Sequence, residues 1–457
     1  VTDTVYDMVI LGAGSGGYAA ALRGAQLGLK VALIEADKVG GTCLHRGCVP
    51  TKAVLHAAET ADAVREAGAL GVQAELRGID MAAVNAYKDG VITKMYKGLQ
   101  GLVSSRGIDL VTGWGKMVSA DTVEVDGKAV KGKNVVLASG SFSKTIGQTI
   151  DDKVITSEQA LQLDHVPSSA VILGGGVIGV EFASAWASLG TQVTIIEGLP
   201  RLVPGEDEAI SKQLERAFRK RKIAFKTKTM FKSVDRTDSG VTVHTEDGKS
   251  YDAEFMLIAV GRGPATANLG YEEVGVAMDR GFVLADEYGR TNVPGVWAVG
   301  DIVPGVQLAH RGFAQGIVVA EKIAGLDPTP VDDVLVPKVT FCEPEIASVG
   351  LSEAKAKEVH GEDAITTAEF NVAGNAKSQI LGTQGFVKLV SLKDGPIVGF
   401  HAIGARMGEQ VGEGQLMVSW EADADDVASL VHAHPTQNET LGEAALALAG
   451  KPLHNHG

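Results

Sequence analysis

The chain has 457 residues, enough for roughly three domains at about 150 residues each, with 45% hydrophobic and 21% charged residues. Its formal net charge of −14 argues against nucleic acid or an anionic membrane surface as the main partner. Three cysteines do not make an extracellular disulfide framework, and no run approaches the roughly 18 apolar residues of a membrane-spanning helix.

The N-terminal residues run straight into a predicted strand, Asp7 to Leu11, with no basic region ahead of it. The expectation is a cytoplasmic protein, or a mature form whose address has already been removed. Gly12-Ala13-Gly14-Ser15-Gly16-Gly17 follows, then an Ala- and Leu-rich helix from about Gly16 to Gly28 and a second strand, Lys30 to Glu35. This is a G-x-G-x-x-G between strand and helix. Gly12 permits a tight turn, Gly14 lets a pyrophosphate approach the backbone, and Gly17 allows close strand–helix packing. The helix N-terminus offers free N–H groups to phosphates. Glu35, ending the second strand, can accept bonds from ribose hydroxyls. Alone, such a turn can be a Gly-rich loop that binds nothing; strand, helix and acid together make that reading poor.

Cys43 and Cys48 come next, in Gly40-Gly41-Thr42-Cys43-Leu44-His45-Arg46-Gly47-Cys48-Val49-Pro50-Thr51-Lys52. They follow the second strand, at the edge of a doubly wound sheet where ligands bind. Their spacing suits a helical turn that brings both sulfurs together. A zinc half-site would need further ligands, and only Cys342 and scattered histidines remain. A structural disulfide suits a reducing compartment badly. Two inert buried thiols are a third reading, which the flanking Gly40-Gly41 and the ligand-edge location disfavour. A redox-active pair is the best reading, with a helix N-terminus and a nearby cation stabilising a thiolate.

The first pattern recurs. A strand over 170–173 meets Gly174-Gly175-Gly176-Val177-Ile178-Gly179, a helix runs to about Leu189, and a strand spans 191–197. Gly174 lies 162 residues after Gly12, and each unit places its acid 23 positions after its first glycine, Glu35 and Glu197. This is a repeat at domain scale. Two units suggest two dinucleotides; the bland alternative is a domain duplicated for structure alone. An acid at Glu197 favours NAD over NADP, although Arg201 is close in sequence. From about Val336 the texture changes: 336–350, 385–390 and 396–403 read as antiparallel strands, after a Pro- and Asp-rich linker over 325–335.

At this point the chain resembles the pyridine nucleotide–disulfide oxidoreductase family. The resemblance rests on both Gly turns, the cysteine segment, Thr291-Asn292-Val293-Pro294-Gly295-Val296-Trp297-Ala298-Val299-Gly300-Asp301, and His432-Ala433-His434-Pro435-Thr436-Gln437-Asn438-Glu439. It implies an α/β fold: two doubly wound, three-layer dinucleotide-binding domains plus a C-terminal α+β dimerisation domain. The implied parts are a first FAD part over 1–145, an NAD domain over 146–265, a second FAD and central part over 266–332 (with 296–325 at its heart), and a dimerisation domain over 333–457. Ala138-Ser139-Gly140 and Ala259-Val260-Gly261-Arg262 would be crossovers.

The resemblance also implies roles. Cys43 would attack the substrate disulfide and Cys48 face the flavin. Lys52 would sit near flavin N5 and pair with Glu181. Asp301 would bond the ribityl chain, and Gly41, Thr42, Ser139, Gly140, Gly261 and Ala309 would complete the cofactor contacts. His434 would be the acid–base, oriented by Glu439. The implied reaction is oxidation of dihydrolipoamide, on a lipoylated E2- or H-type protein or free, by NAD through FAD, in a homodimer whose subunits share the site. No metal is expected. The alternatives are another disulfide or metal-ion reductase of the family, and a flavoprotein with a mainly structural role in a multienzyme complex. Departures are His45-Arg46, where Asn-Val is common, Gln315 for a frequent Glu, and Gln437-Asn438 for the usual Leu-Ser. His432, His454 and His456 read as exposed or structural, and Cys342 as a buried residue in a strand.

Overall fold

The apolar run Val5–Leu11 (β1) buries its last four residues completely or nearly so, as a strand covered on both faces must. The computed structural model describes residues 4–455, so His456 lies outside the described residues. The Ala-rich helix α1 (Ser15–Gln26) follows and ends before Gly28, whose φ is +82°. Then come β2 (Val31–Glu35), the short helix α2 (Gly41–His45), the longer α3 (Cys48–Glu66) and α4 (Met81–Ser105), which Asp80 caps by accepting from the Ala83 N–H at 3.1 Å.

Strands β3 (Asp109–Thr112), β4 (Gly115–Ser119), β5 (Thr122–Val125) and β6 (Lys128–Leu137) complete the first sheet, in the order β3-β2-β1-β6-β5-β4. β1 runs parallel to both β2 and β6. The early half of β6 joins an antiparallel meander with β5, and its last residues also pair with the distant strand Val296–Ala298. The strand order reverses between β1 and β6. Such a switch point opens a crevice at the carboxyl ends of the strands.

The second unit repeats the plan. Its parallel sheet runs Ala224–Lys226, Gln192–Ile196, Ser169–Leu173, Phe255–Ile258, Val154–Thr156, and a three-stranded antiparallel meander flanks it. Ser141–Ser143 and Arg262–Pro264 pair antiparallel where the chain passes between the units. α3 and the second unit's helix Val177–Leu189 share one buried apolar cluster, in which Val54, Leu55 and Ala58 meet Phe182, Ala183 and Trp186. That packing couples the cysteine segment to the second unit.

The C-terminal part is a five-stranded antiparallel sheet in the order Lys338–Thr340, Glu345–Gly350, Ile397–Gly404, Phe386–Leu392, Ile365–Asn371. The expected single run 336–350 is broken by a bend through Cys342 and Pro344, since proline cannot donate to a ladder. The strand Ile365–Asn371 escaped the sequence reading because it lies at the sheet edge and buries only its two ends of apolar surface, Ile365 and Phe370. No helix among the described residues is long and apolar enough to cross a membrane.

Candidate active site

The glycine turns show why their residues are small. A methyl on Gly12 (φ +104°) would sit 2.3 Å from the Ala138 carbonyl oxygen, and one on Gly17 would sit 1.8 Å from the Gly12 oxygen. At Gly14 nothing lies within 4 Å. The space there opens into a cleft of about 830 Å³, lined by Gly12, Gly14, Glu35, Gly41, Thr42, both cysteines, Lys52, Ser139, Gly140, Asp301 and Ala309. Helix α1 starts without a side-chain cap, so its first N–H groups face the cleft mouth free to bind an anion. The Glu35 carboxylate accepts from the Ala13 N–H at 2.8 Å and the Asp37 N–H at 2.9 Å. It is therefore held at the end of β2 with lone pairs to spare.

Cys43 lies in α2 and Cys48 is the first residue of α3, with Arg46 and Gly47 between them. The expected single helical turn is thus two helices with a break, and the break lets Cys48 occupy a helix N-terminus. Both are free thiols. Each thiol acts on the other and drives the two apart in acidity: Cys48 and burial push Cys43 up, and Cys43 draws Cys48 down to about 7. Burial opposes the Cys48 charge, and the Lys52 ammonium supports it. A low-lying thiolate beside a high-lying thiol is the arrangement of an exchange-competent pair.

Lys52 Nζ stands 3.0 and 2.9 Å from the Glu181 carboxylate oxygens, and 4.6 Å from the Phe341 ring centroid. Glu181 is buried and also accepts from the Phe341 N–H at 2.9 Å. Two further residues that line the cleft, and one near the cysteines, were not singled out from sequence. Arg262 donates to the Ser141 hydroxyl at 2.7 Å, and that hydroxyl donates to Asp301 at 2.5 Å. Tyr18 packs on Phe313 with ring centroids 5.4 Å apart, and burial and the two cysteines push its phenol up to about 12. Only the pairing of strands 141–143 and 262–264, a tertiary event, marks the first two. Tyr18 follows the last glycine of the turn with no spacing signal of its own.

In the second unit a methyl on Gly174 would meet the Ala259 oxygen at 2.4 Å, one on Gly179 would meet the Gly174 oxygen at 1.9 Å, and Gly176 is open. Glu197 accepts from the Gly175 N–H at 2.6 Å and the Leu199 N–H at 2.7 Å. Gly261, with φ +102°, follows the strand Phe255–Ile258 beside this turn. Arg201 is turned away: its guanidinium donates to the Pro204 and Glu206 carbonyls, each at 3.0 Å. An arginine so engaged is poorly placed to receive a 2′-phosphate.

His434 and Glu439 meet each other but not the cleft. His434 Nδ1 is 2.7 Å from Glu439 Oε1, and Glu439 Oε2 accepts from the Thr436 N–H at 2.7 Å. The imidazole is 72% exposed, and neither residue lines the cleft that holds the cysteines.

The pyridine nucleotide-disulphide oxidoreductase family matches residues 6–316, and its dimerisation domain matches residues 336–445. The chain belongs to this family.

Among curated members, dihydrolipoyl dehydrogenase of Bacillus subtilis is 38% identical over 473 residues, covering 99% of each chain. The Geobacillus stearothermophilus enzyme of that name is 38% identical, covering 98% of this chain and 97% of its own. The mitochondrial one of Pisum sativum is 37% identical, covering 98% and 92%. Among solved structures, LpdA from Mycobacterium tuberculosis superposes with a TM-score of 0.90 at 26% identity, covering 96% of this chain and 99% of its own. The HOCl-induced flavoprotein disulfide reductase RclA from Escherichia coli, as its Cu(II) complex, does so at 0.88 and 25%, covering 97% and 100%.

FAD and NAD are the cofactors of this family, and the residues present fit both. The open positions at Gly14 and Gly176, each at an uncapped helix N-terminus, are cradles that a Cβ would fill. Two of the departures from the family pattern find local partners in the fold. Gln315 presents an oxygen that accepts from the Gly300 N–H at 2.8 Å, as a glutamate would. His45 turns to the Val39 carbonyl at 2.9 Å and packs edge-on to Tyr96, while Arg46 pairs with Asp37 at 2.8 Å. The cation acting on the thiols is Lys52. Cys342 is buried, but in the bend rather than in a strand; its thiol donates to the Pro344 carbonyl at 3.2 Å, and burial holds it well above the usual range. His432 is half-buried and His454 pairs with Glu443 at 2.7 Å.

Proposed function

We propose that this chain is an FAD-dependent dihydrolipoyl dehydrogenase that oxidises protein-bound dihydrolipoamide and reduces NAD to NADH. One observation carries the reading: Cys43, Cys48 and Lys52 line one dinucleotide-sized cleft together with the open cradle at Gly14, so a thiol pair, a cation and a cofactor seat share the same space. The names of full-length relatives at 37–38% identity point the same way. They favour this activity over another disulfide reductase of the family, and over a mainly structural role in a multienzyme complex.

The catalytic cycle starts from the Cys43–Cys48 disulfide. His434 takes a proton from one substrate thiol, and Glu439 holds the imidazole by its other nitrogen. The substrate thiolate attacks Cys43 Sγ; the Cys43–Cys48 bond breaks and Cys48 leaves as a thiolate. The second substrate thiol gives up its proton and attacks the substrate sulfur of the mixed disulfide, closing lipoamide and releasing Cys43. The substrate has lost two electrons and the cysteine pair has gained them. FAD, when bound, supplies the relay from the reduced pair to NAD. Lys52, held in place by Glu181, sets its ammonium where the Cys48 thiolate and the cofactor meet. Gly12, Gly14, Gly17, Glu35, Gly41, Thr42, Ser139, Gly140, Asp301 and Ala309 hold FAD; Gly174, Gly176, Gly179, Glu197 and Gly261 hold NAD.

In this reading His434 serves the partner subunit's cysteines, since it lies outside its own chain's cleft; the working unit is a homodimer. The substrate carrier is a lipoylated protein of E2 or H type, and free lipoamide substitutes for it. A cytoplasmic setting belongs to the same proposal.

The test is an assay of the FAD-loaded protein with dihydrolipoamide and NAD, beside Cys43→Ser. Turnover by the natural chain and none by Cys43→Ser, with FAD retained, is expected. Undiminished turnover by the variant would sink the scheme.

A further inference from the structure

The loop bearing His434 and Glu439 is gripped from outside by a residue that the mechanism does not use. Glu413, on the helix Met407–Ser419, sends one carboxylate oxygen to His432 Nε2 and the other to Asn438 Nδ2, both at 2.7 Å. His432 stands two residues before His434, and Asn438 one residue before Glu439. One carboxylate therefore holds both ends of the segment 432–438, which carries His434 within it and leads directly into Glu439.

Two further observations show that the grip is built. The His432 imidazole is only 12% exposed and lies against the helix Glu439–Leu448; a methyl on Gly442 would fall 2.6 Å from its Nδ1. The ring is thus wedged between Glu413 and the helix that starts with Glu439. The charges agree: the hydrogen bond that His432 donates to Glu413 raises His432, and although burial opposes the Glu413 charge, the bonds from His432 and Asn438 outweigh it and keep Glu413 below the usual carboxylate range.

We infer that Glu413 is a positioning residue for the His434–Glu439 pair, acting by clamping His432 and Asn438 at the two ends of their loop. This rests on His434 being the acid–base of the reaction. An imidazole that must reach a thiol across a subunit boundary needs its loop held closely, because small misplacements cost large factors in rate. His432 and Asn438 work through the same clamp, and neither touches substrate.

The experiment compares Glu413→Ala, Glu413→Gln and His434→Gln as FAD-loaded enzymes, in two half-reactions: reduction by dihydrolipoamide, which needs His434, and reduction by NADH, which does not. Glu413→Ala is expected to slow the first by about tenfold or more and leave the second within about twofold. Glu413→Gln, which keeps an acceptor for Asn438 and a partner for His432, is expected to recover most of the loss. An unchanged dihydrolipoamide rate in Glu413→Ala, with His434→Gln slow, overturns the inference alone. Equal losses in both half-reactions without recovery by Gln overturn it too, since a merely structural role acts that way. A fast His434→Gln overturns the acid–base reading and this inference with it. Should Glu413→Ala fail to hold FAD, His432→Gln and Asn438→Ala each remove one arm, and wild-type dihydrolipoamide rates in both overturn the clamp.

Discussion

Lys52 and Glu181 stand 129 residues apart in the chain and form a two-pronged ion pair, Nζ to the two carboxylate oxygens at 3.0 and 2.9 Å. Lys52 is the fifth residue of α3 and is partly open to the cleft, while Glu181 is buried in the other unit. The pair joins the cysteine helix to the nucleotide-binding repeat.

Lys52→Met removes a cation that helps to draw the Cys48 thiol down to about 7. In the reduced enzyme, Cys48 should then titrate at higher pH, seen as thiolate ultraviolet absorbance that appears later in an alkaline titration. The sign follows from charge: a lost ammonium disfavours the thiolate. The variant also leaves Glu181 buried without its ion partner, a loss towards the low end of about 3–5 kcal/mol because Lys52 is itself partly exposed, which a lowered melting temperature would register. An unmoved Cys48 titration would show that its neighbour Cys43, and not Lys52, sets it.

Sites shared across a two-fold dimer predict complementation. Cys43→Ser and His434→Gln are each expected to be inactive, the latter reduced by at least about a hundredfold. Co-expressed, they form mixed dimers in which one of two sites has both wild-type residues, so activity should return to roughly a quarter of the wild-type level for random pairing. Complementation that fails although mixed dimers form would place His434 in its own subunit's site or in none.

The two glycines of the second turn should fail differently. Gly179→Ala forces a methyl against the Gly174 oxygen, where only 1.9 Å is available; overpacking of this kind costs about 1–3 kcal/mol and should appear as a lower melting temperature. Gly176→Ala has open space, so folding should be normal while NADH binding weakens by about tenfold or more as the methyl fills the phosphate cradle. FAD content is the control in both, since the first turn is untouched. Normal NADH affinity in Gly176→Ala would remove that turn from the nucleotide site.

The amino-acid sequence by itself determined the local chemistry of this protein. Strand, glycine turn, helix and acid are readable in both units because backbone sterics dictate the residue types at fixed spacing, and Gly12, Gly17, Gly174 and Gly179 each face a carbonyl that leaves no room for a side chain. The cysteine pair stood out as a candidate for a different reason, its place after the second strand beside Gly40-Gly41, and the change of texture near Val336 was legible from strand periodicity. What spacing does not encode is contact between distant elements. The pairing of strands 141–143 and 262–264 brings Arg262 and Ser141 to Asp301; the packing of α3 on helix Val177–Leu189 sets Lys52 on Glu181; the fold of the C-terminal sheet puts Glu413 under both ends of the His434 loop. The edge strand Ile365–Asn371 and the break between Cys43 and Cys48 belong to the same class. Each depends on buried surfaces meeting in three dimensions, and only the tertiary structure decided them.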